Sequence, residues 1–194
     1  MSLIAPGRAS LIGPGRATLI DTVEHMIDAT DSELREGLAA AMSVPRWVDE
    51  VADGAPFESL DELLHLARAA AATLSSGEID QAMAHHPRIG ERSTGTGAAA
   101  AHSTREQAGL RHSADADDAE LTAAIHAGNL AYEARFDRVF LIRAAGRTRA
   151  EILRELERRL TLDDHTELAI VGEQLREIAL LRLADTFGSR EDSL

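Results

Sequence analysis

Residues 148–160 read Thr-Arg-Ala-Glu-Ile-Leu-Arg-Glu-Leu-Glu-Arg-Arg-Leu. A threonine stands before the run and Glu151 follows three residues on. In that spacing the hydroxyl and the carboxylate satisfy each other's backbone amides, which marks a helix start. The same signature recurs at Thr30 with Glu33 and at Ser59 with Glu62. The Ser59 helix is expected to run through Leu74, with Gly77 past its end. Two more helices are expected from periodicity. One covers residues 115–136, with Leu121, Ile125, Gly128 and Tyr132 on a face. The other covers 163–187, with Leu168, Val171, Leu175, Ile178 and Arg182 at helical spacing and Leu181 beside them. The chain therefore reads as all-α, a single-domain helical bundle. Val139-Phe140-Leu141-Ile142 interrupts it as one short extended segment near 138–142, whose backbone groups need partners.

The expected organisation is an irregular N-terminal arm over 1–18, a helical domain over 19–188 and a tail over 189–194. The arm carries a short repeat, LIAPGRAS then LIGPGRAT, whose Pro-Gly pairs mark turns. At 194 residues the chain is long enough to bury one core. Its net charge of −13 disfavours nucleic acid, and no apolar run approaches the roughly 18 residues of a membrane span. A signal peptide is not expected. The ending Asp192-Ser193-Leu194 lacks the basic middle residue of a peroxisomal tripeptide, so a cytoplasmic location is the default expectation.

Two absences narrow the chemistry. The chain has no cysteine, and its 20 basic side chains are all arginine. Thiolate chemistry, a lysine Schiff base and a Walker-type phosphate loop are thereby excluded. Proton transfer falls to His, Asp, Glu or Tyr, because arginine stays protonated.

The segment 85–107, HHPRIGERSTGTGAAAAHSTREQ, holds the densest chemistry. His85 and His86 are adjacent and have no helical partner at i+4, so they make a poor metal pair. No metal site is expected. Pro87 ends a helix at His86. Ser103 with Glu106 reads either as another helix cap or as one half of a site. A helix N-terminus bearing Ser103, Arg105 and Gln107 suits an anionic or ureido-bearing ligand, and a histidine opposite it would supply a proton.

The set His86-Pro87-Arg88-Ile89-Gly90, then Ser103-x-x-Glu106-Gln107-x-Gly109, resembles the 2-oxo-4-hydroxy-4-carboxy-5-ureidoimidazoline (OHCU) decarboxylase family, which closes the urate-to-allantoin pathway. Other pieces fall in the same order. They are Arg46-Trp47 with Pro56-Phe57, Asn129-x-x-Tyr132-x-x-x-Phe136 leading into 139–142, and Glu167 with Leu181-Arg182-Leu183. The likeness covers about residues 35 to 185. Asp137 departs from the pattern, standing where the family usually has glycine.

The resemblance implies an all-helical, cofactor-free and commonly dimeric carboxy-lyase acting on a small molecule. It implies His86 as the proton donor and Glu106 as the group that orients it or binds the substrate. It implies a pocket from Pro87, Ser103, Thr104, Arg105 and Gln107, together with Arg138, Val139, Phe140, Leu141 and Ile142. The backbone of that last segment would pair with the ring amides, and Arg182 would face the substrate carboxylate. Two other classes compete: a non-enzymatic acidic helical interaction domain, and a metal-dependent ureide hydrolase.

Overall fold

The computed structural model describes residues 27–84, 86, 88–89 and 117–188. Among them are seven helices and no sheet: α1 (Asp31–Ala41), α2 (Pro45–Ala52), α3 (Leu60–Ala71), α4 (Ser76–Met83), α5 (Asp117–Phe136), α6 (Arg149–Arg159) and α7 (Asp164–Gly188). The all-α reading holds. The N-terminal arm and the C-terminal tail lie outside the described residues.

Most helix starts follow from local chemistry. Thr30 and Thr148 form the reciprocal caps expected of them. Pro45 opens α2, where a missing N–H costs nothing. Ser59 caps α3 through the Glu62 amide, but the Glu62 carboxylate accepts from the Glu58 amide at 2.7 Å instead of from Ser59. The expected box there is only half made. Helix α3 also stops at Ala71, short of the expected Leu74, because Ser75 and Glu78 form a further capping box that starts α4. Gly77 consequently lies inside α4 and not beyond the end of α3.

Helix α7 is the spine and packs against α1, α3 and α4, while α5 packs on α6. Its buried row is Glu167, Val171, Leu175, Ile178 and Arg182. Glu167 takes the place expected for Leu168, which is only partly buried, and Leu181 is exposed. Close approach needs glycine at two points. A Cβ on Gly37 of α1 would lie 2.6 Å from Phe187, and one on Gly128 of α5 would lie 2.5 Å from Leu156 of α6.

Two apolar cores result. The larger joins α1–α4 to α7 around Leu38, Trp47, Leu63, Leu175 and Leu183; the smaller joins α5 and α6 around Ile125, Tyr132, Ile152 and Leu156. The extended segment stitches them together. Val139 and Leu141 pack into the first core, Phe140 and Ile142 into the second. Alternate side chains of an extended chain point to opposite sides, a period no helix can supply. That is why a β-favouring run interrupts a helical protein.

Its backbone is partly satisfied by side chains. Arg159 Nη1 donates to the Leu141 carbonyl at 2.7 Å, and the Arg143 amide donates to Gln174 Oε1 at 2.9 Å. Arg159 in turn pairs with Glu167, its Nε lying 2.8 Å from Oε1, and Tyr132 donates its hydroxyl to the same carboxylate. All three side chains are buried. The guanidinium also lies 4.7 Å from the centre of the Phe140 ring.

Candidate active site

The end of α4 and the end of α5 face each other across a cleft of about 490 Å³. Asp80, Met83, Ala84 and His86 line one side; Asp137, Arg138 and Val139 line the other. Asp80, Met83 and Ala84 share one face of α4 by their i, i+3 and i+4 spacing.

His86 sits just past α4. Its amide donates to the Met83 carbonyl at 3.0 Å, and its Nδ1 lies 2.9 Å from the Ala82 carbonyl oxygen. A carbonyl only accepts, so Nδ1 carries a hydrogen and Nε2 is the position that gains or loses a proton. The ring is thus held at one nitrogen by the backbone, and its Nε2 is a buried atom.

The residues after His86 are tied to α5. Arg88 pairs with Glu133 through two nitrogens, Nη2 donating to Oε2 at 2.6 Å. Asn129 Nδ2 donates to the Ile89 carbonyl at 3.0 Å. The Arg88 guanidinium holds the Glu133 carboxyl below its usual range.

Opposite His86 the chain turns sharply. Asp137 has φ of 54°, the left-handed region, and its amide closes α5 on the Glu133 carbonyl at 2.9 Å. Aspartate tolerates that conformation better than most residues, though glycine does so best. Aspartate at 137 is therefore compatible with the left-handed turn the chain makes here. The turn directs Arg138 back to α4, where Nη2 donates to Asp80 Oδ1 at 3.3 Å.

The structure thus brings His86, Arg138 and Val139 to one cleft. Phe140, Leu141 and Ile142 adjoin it in sequence, but their side chains fill the cores. Arg182 is buried on α7, donates from Nη1 to the Ala41 carbonyl at 3.2 Å, and is not among the cleft residues. Pro87, Ser103, Thr104, Arg105, Glu106 and Gln107 lie outside the described residues. Sequence reading missed Asp80 and the cleft face of α4; the helical spacing of Asp80 and Met83 ahead of His86 was the available signal. Among the described residues no group of three His, Asp or Glu side chains could hold a metal ion. No helix there is long and apolar enough to cross a membrane.

Comparison with known proteins places the chain by sequence and by fold. The family model described as OHCU decarboxylase matches residues 28–184. A 2-oxo-4-hydroxy-4-carboxy-5-ureidoimidazoline decarboxylase from Mus musculus is 32% identical over 140 residues, covering 71% of this chain and 76% of that protein. Two solved structures share the fold. A crystal structure of OHCU decarboxylase in the presence of (S)-allantoin has a TM-score of 0.64 at 22% identity, covering 82% of this chain and 99% of that one. A crystal structure of (S)-allantoin synthase has a TM-score of 0.57 at 15% identity, covering 83% of this chain and 52% of that one.

Proposed function

The chain belongs to the OHCU decarboxylase family, and from that membership we propose how its cleft carries out the decarboxylation that ends the conversion of urate to allantoin. The observation that carries the proposal is His86, its Nδ1 fixed on the Ala82 carbonyl, lining a cleft opposite the cationic Arg138.

The carboxylate-bearing carbon of the substrate breaks its bond to CO2 and keeps the electron pair. The imidazoline carbonyl and imine in conjugation with that carbon delocalise the pair. The substrate thus carries its own electron sink, so the protein's task is placement and fixed charge. Protonated Nε2 of His86 then delivers a proton to one face of the planar intermediate, giving (S)-allantoin. Arg138, turned into the cleft by Asp137, binds the carboxylate before it leaves. Glu106 orients His86 or holds the substrate hydroxyl and ureido N–H groups. Ser103, Thr104, Arg105 and Gln107 bind the ureido arm beside Pro87. The backbone of 138–142 meets the ring amides, apart from the Leu141 carbonyl, which already accepts from Arg159. Arg182 supports the site from α7. The reaction needs no cofactor in this reading. The same reading takes the enzyme as a cytoplasmic homodimer, the dimer on family resemblance.

The test uses OHCU made freshly from urate by the two upstream enzymes. Added protein should speed its decay, with and without a strong chelator in the buffer. Decay at the spontaneous rate would contradict the proposal. Activity lost to the chelator and restored by zinc would favour a metal-dependent hydrolase instead.

A further inference from the structure

The ring of His86 is anchored on the α4 side by its contact with Ala82. On its other side, the two residues that follow Pro87 are both pinned to α5. Arg88 forms a two-nitrogen fork on Glu133, and the Ile89 carbonyl accepts from Asn129, while the Ile89 side chain enters the smaller core. Asn129 and Glu133 stand one turn apart on α5, so they present both partners from the same face. Forked guanidinium–carboxylate bonds fix direction as well as distance.

We propose that Arg88 and Glu133, seconded by Asn129, form a clamp that positions His86 for proton transfer. The proposal rests on His86 being the proton donor. Arg88 and Glu133 are positioning residues, since neither lines the cleft. The pair is partly accessible, with side chains 37% and 22% exposed. Ion pairs at such exposure add little to global stability, so the fork's effect falls on local geometry. Asp137 and Arg138 follow directly on the end of α5, so the clamp also sets the distance between the two walls of the cleft. Charged groups facing the Glu133 carboxylate are Arg88 and, at longer range, His126.

The test is steady-state turnover of fresh OHCU by Glu133→Gln, by Arg88→Ala and by the swapped pair Arg88→Glu with Glu133→Arg, each with its melting temperature. A displacement of about 1 Å at a reacting group costs on the order of 100-fold. Each single variant should therefore lose roughly 10- to 100-fold in kcat, with KM within about 3-fold of wild type. Melting should shift by only a few degrees, and the swap should recover part of kcat. Wild-type kcat in both single variants would overturn the clamp. So would a loss of kcat that merely follows a collapse in melting temperature. A wild-type protein that leaves OHCU untouched fails the functional reading instead. The clamp is then judged by NMR of the His86 ring, assigned by its loss in His86→Asn. A shifted or broadened resonance in Glu133→Gln supports the clamp, and an unchanged one contradicts it.

Discussion

Arg159 and Glu167 face each other across the junction of α6 and α7 with both side chains at 0% exposure. Each charge is compensated chiefly by the other, with Tyr132 and the Leu141 carbonyl taking further bonds. Removing one partner leaves a buried charge unpaired, which costs about 3–5 kcal/mol. Glu167→Ala should therefore unfold at markedly lower urea than wild type. The double variant Arg159→Met with Glu167→Met should regain much of the loss. Urea midpoints followed by the single tryptophan, buried Trp47, measure both.

Tyr132 is the only tyrosine. Burial, and then its bond to Glu167, raise its pKa well above the ordinary 10.0. The folded chain therefore keeps a proton that the unfolded chain gives up. This contribution to stability is whole below pH 10 and is lost as pH rises beyond it. Absorbance at 295 nm should show tyrosinate only as helical circular dichroism disappears. A reversible titration near pH 10 with the helices intact would contradict the buried assignment.

Arg138 is the cation of the described cleft. A charge-assisted hydrogen bond contributes about 1.5–3 kcal/mol. Arg138→Ala should accordingly raise KM for OHCU roughly 10- to 100-fold. Melting should change little, because its partner Asp80 is exposed. Initial rates over a range of substrate concentrations separate this from a loss confined to kcat.

Asp137 occupies left-handed backbone. Asp137→Gly should leave melting unchanged or slightly raised. Asp137→Val, β-branched in a conformation that costs such residues about 1–2 kcal/mol or more, should melt several degrees lower. Thermal unfolding of the two variants side by side decides it.

Much of the fold was legible because its helices announce themselves locally. Thr30 and Thr148 sit in spacings whose meaning depends on four residues alone. Ser75 with Glu78 carries the same signature, but it is buried in a run of alanines and serines that reads as the tail of one long helix. Arg159 was harder to place. It follows Ile152 and Leu156 at i+7 and i+3 on the buried stripe of α6, yet burying an arginine makes sense only once Glu167 and Tyr132 arrive from other helices. The alternation of 139–142 was visible as a β-favouring run; that it serves two cores required knowing that two cores exist. His86 stood out as a candidate through the His86–Gly90 motif and the family resemblance it carries. The cleft opposite it depends on the α5 turn, a contact between residues more than fifty positions apart.

The central claim is that His86 protonates one face of the intermediate. Spontaneous decay of OHCU gives racemic allantoin. Circular dichroism of the reaction should therefore show an enantiomeric signal growing with wild-type protein. With His86→Ala, folded and melting near wild type, the decay should fall back to the spontaneous rate and leave no signal. A racemic product at the background rate from wild type, or full stereospecific turnover by His86→Ala, would contradict the account.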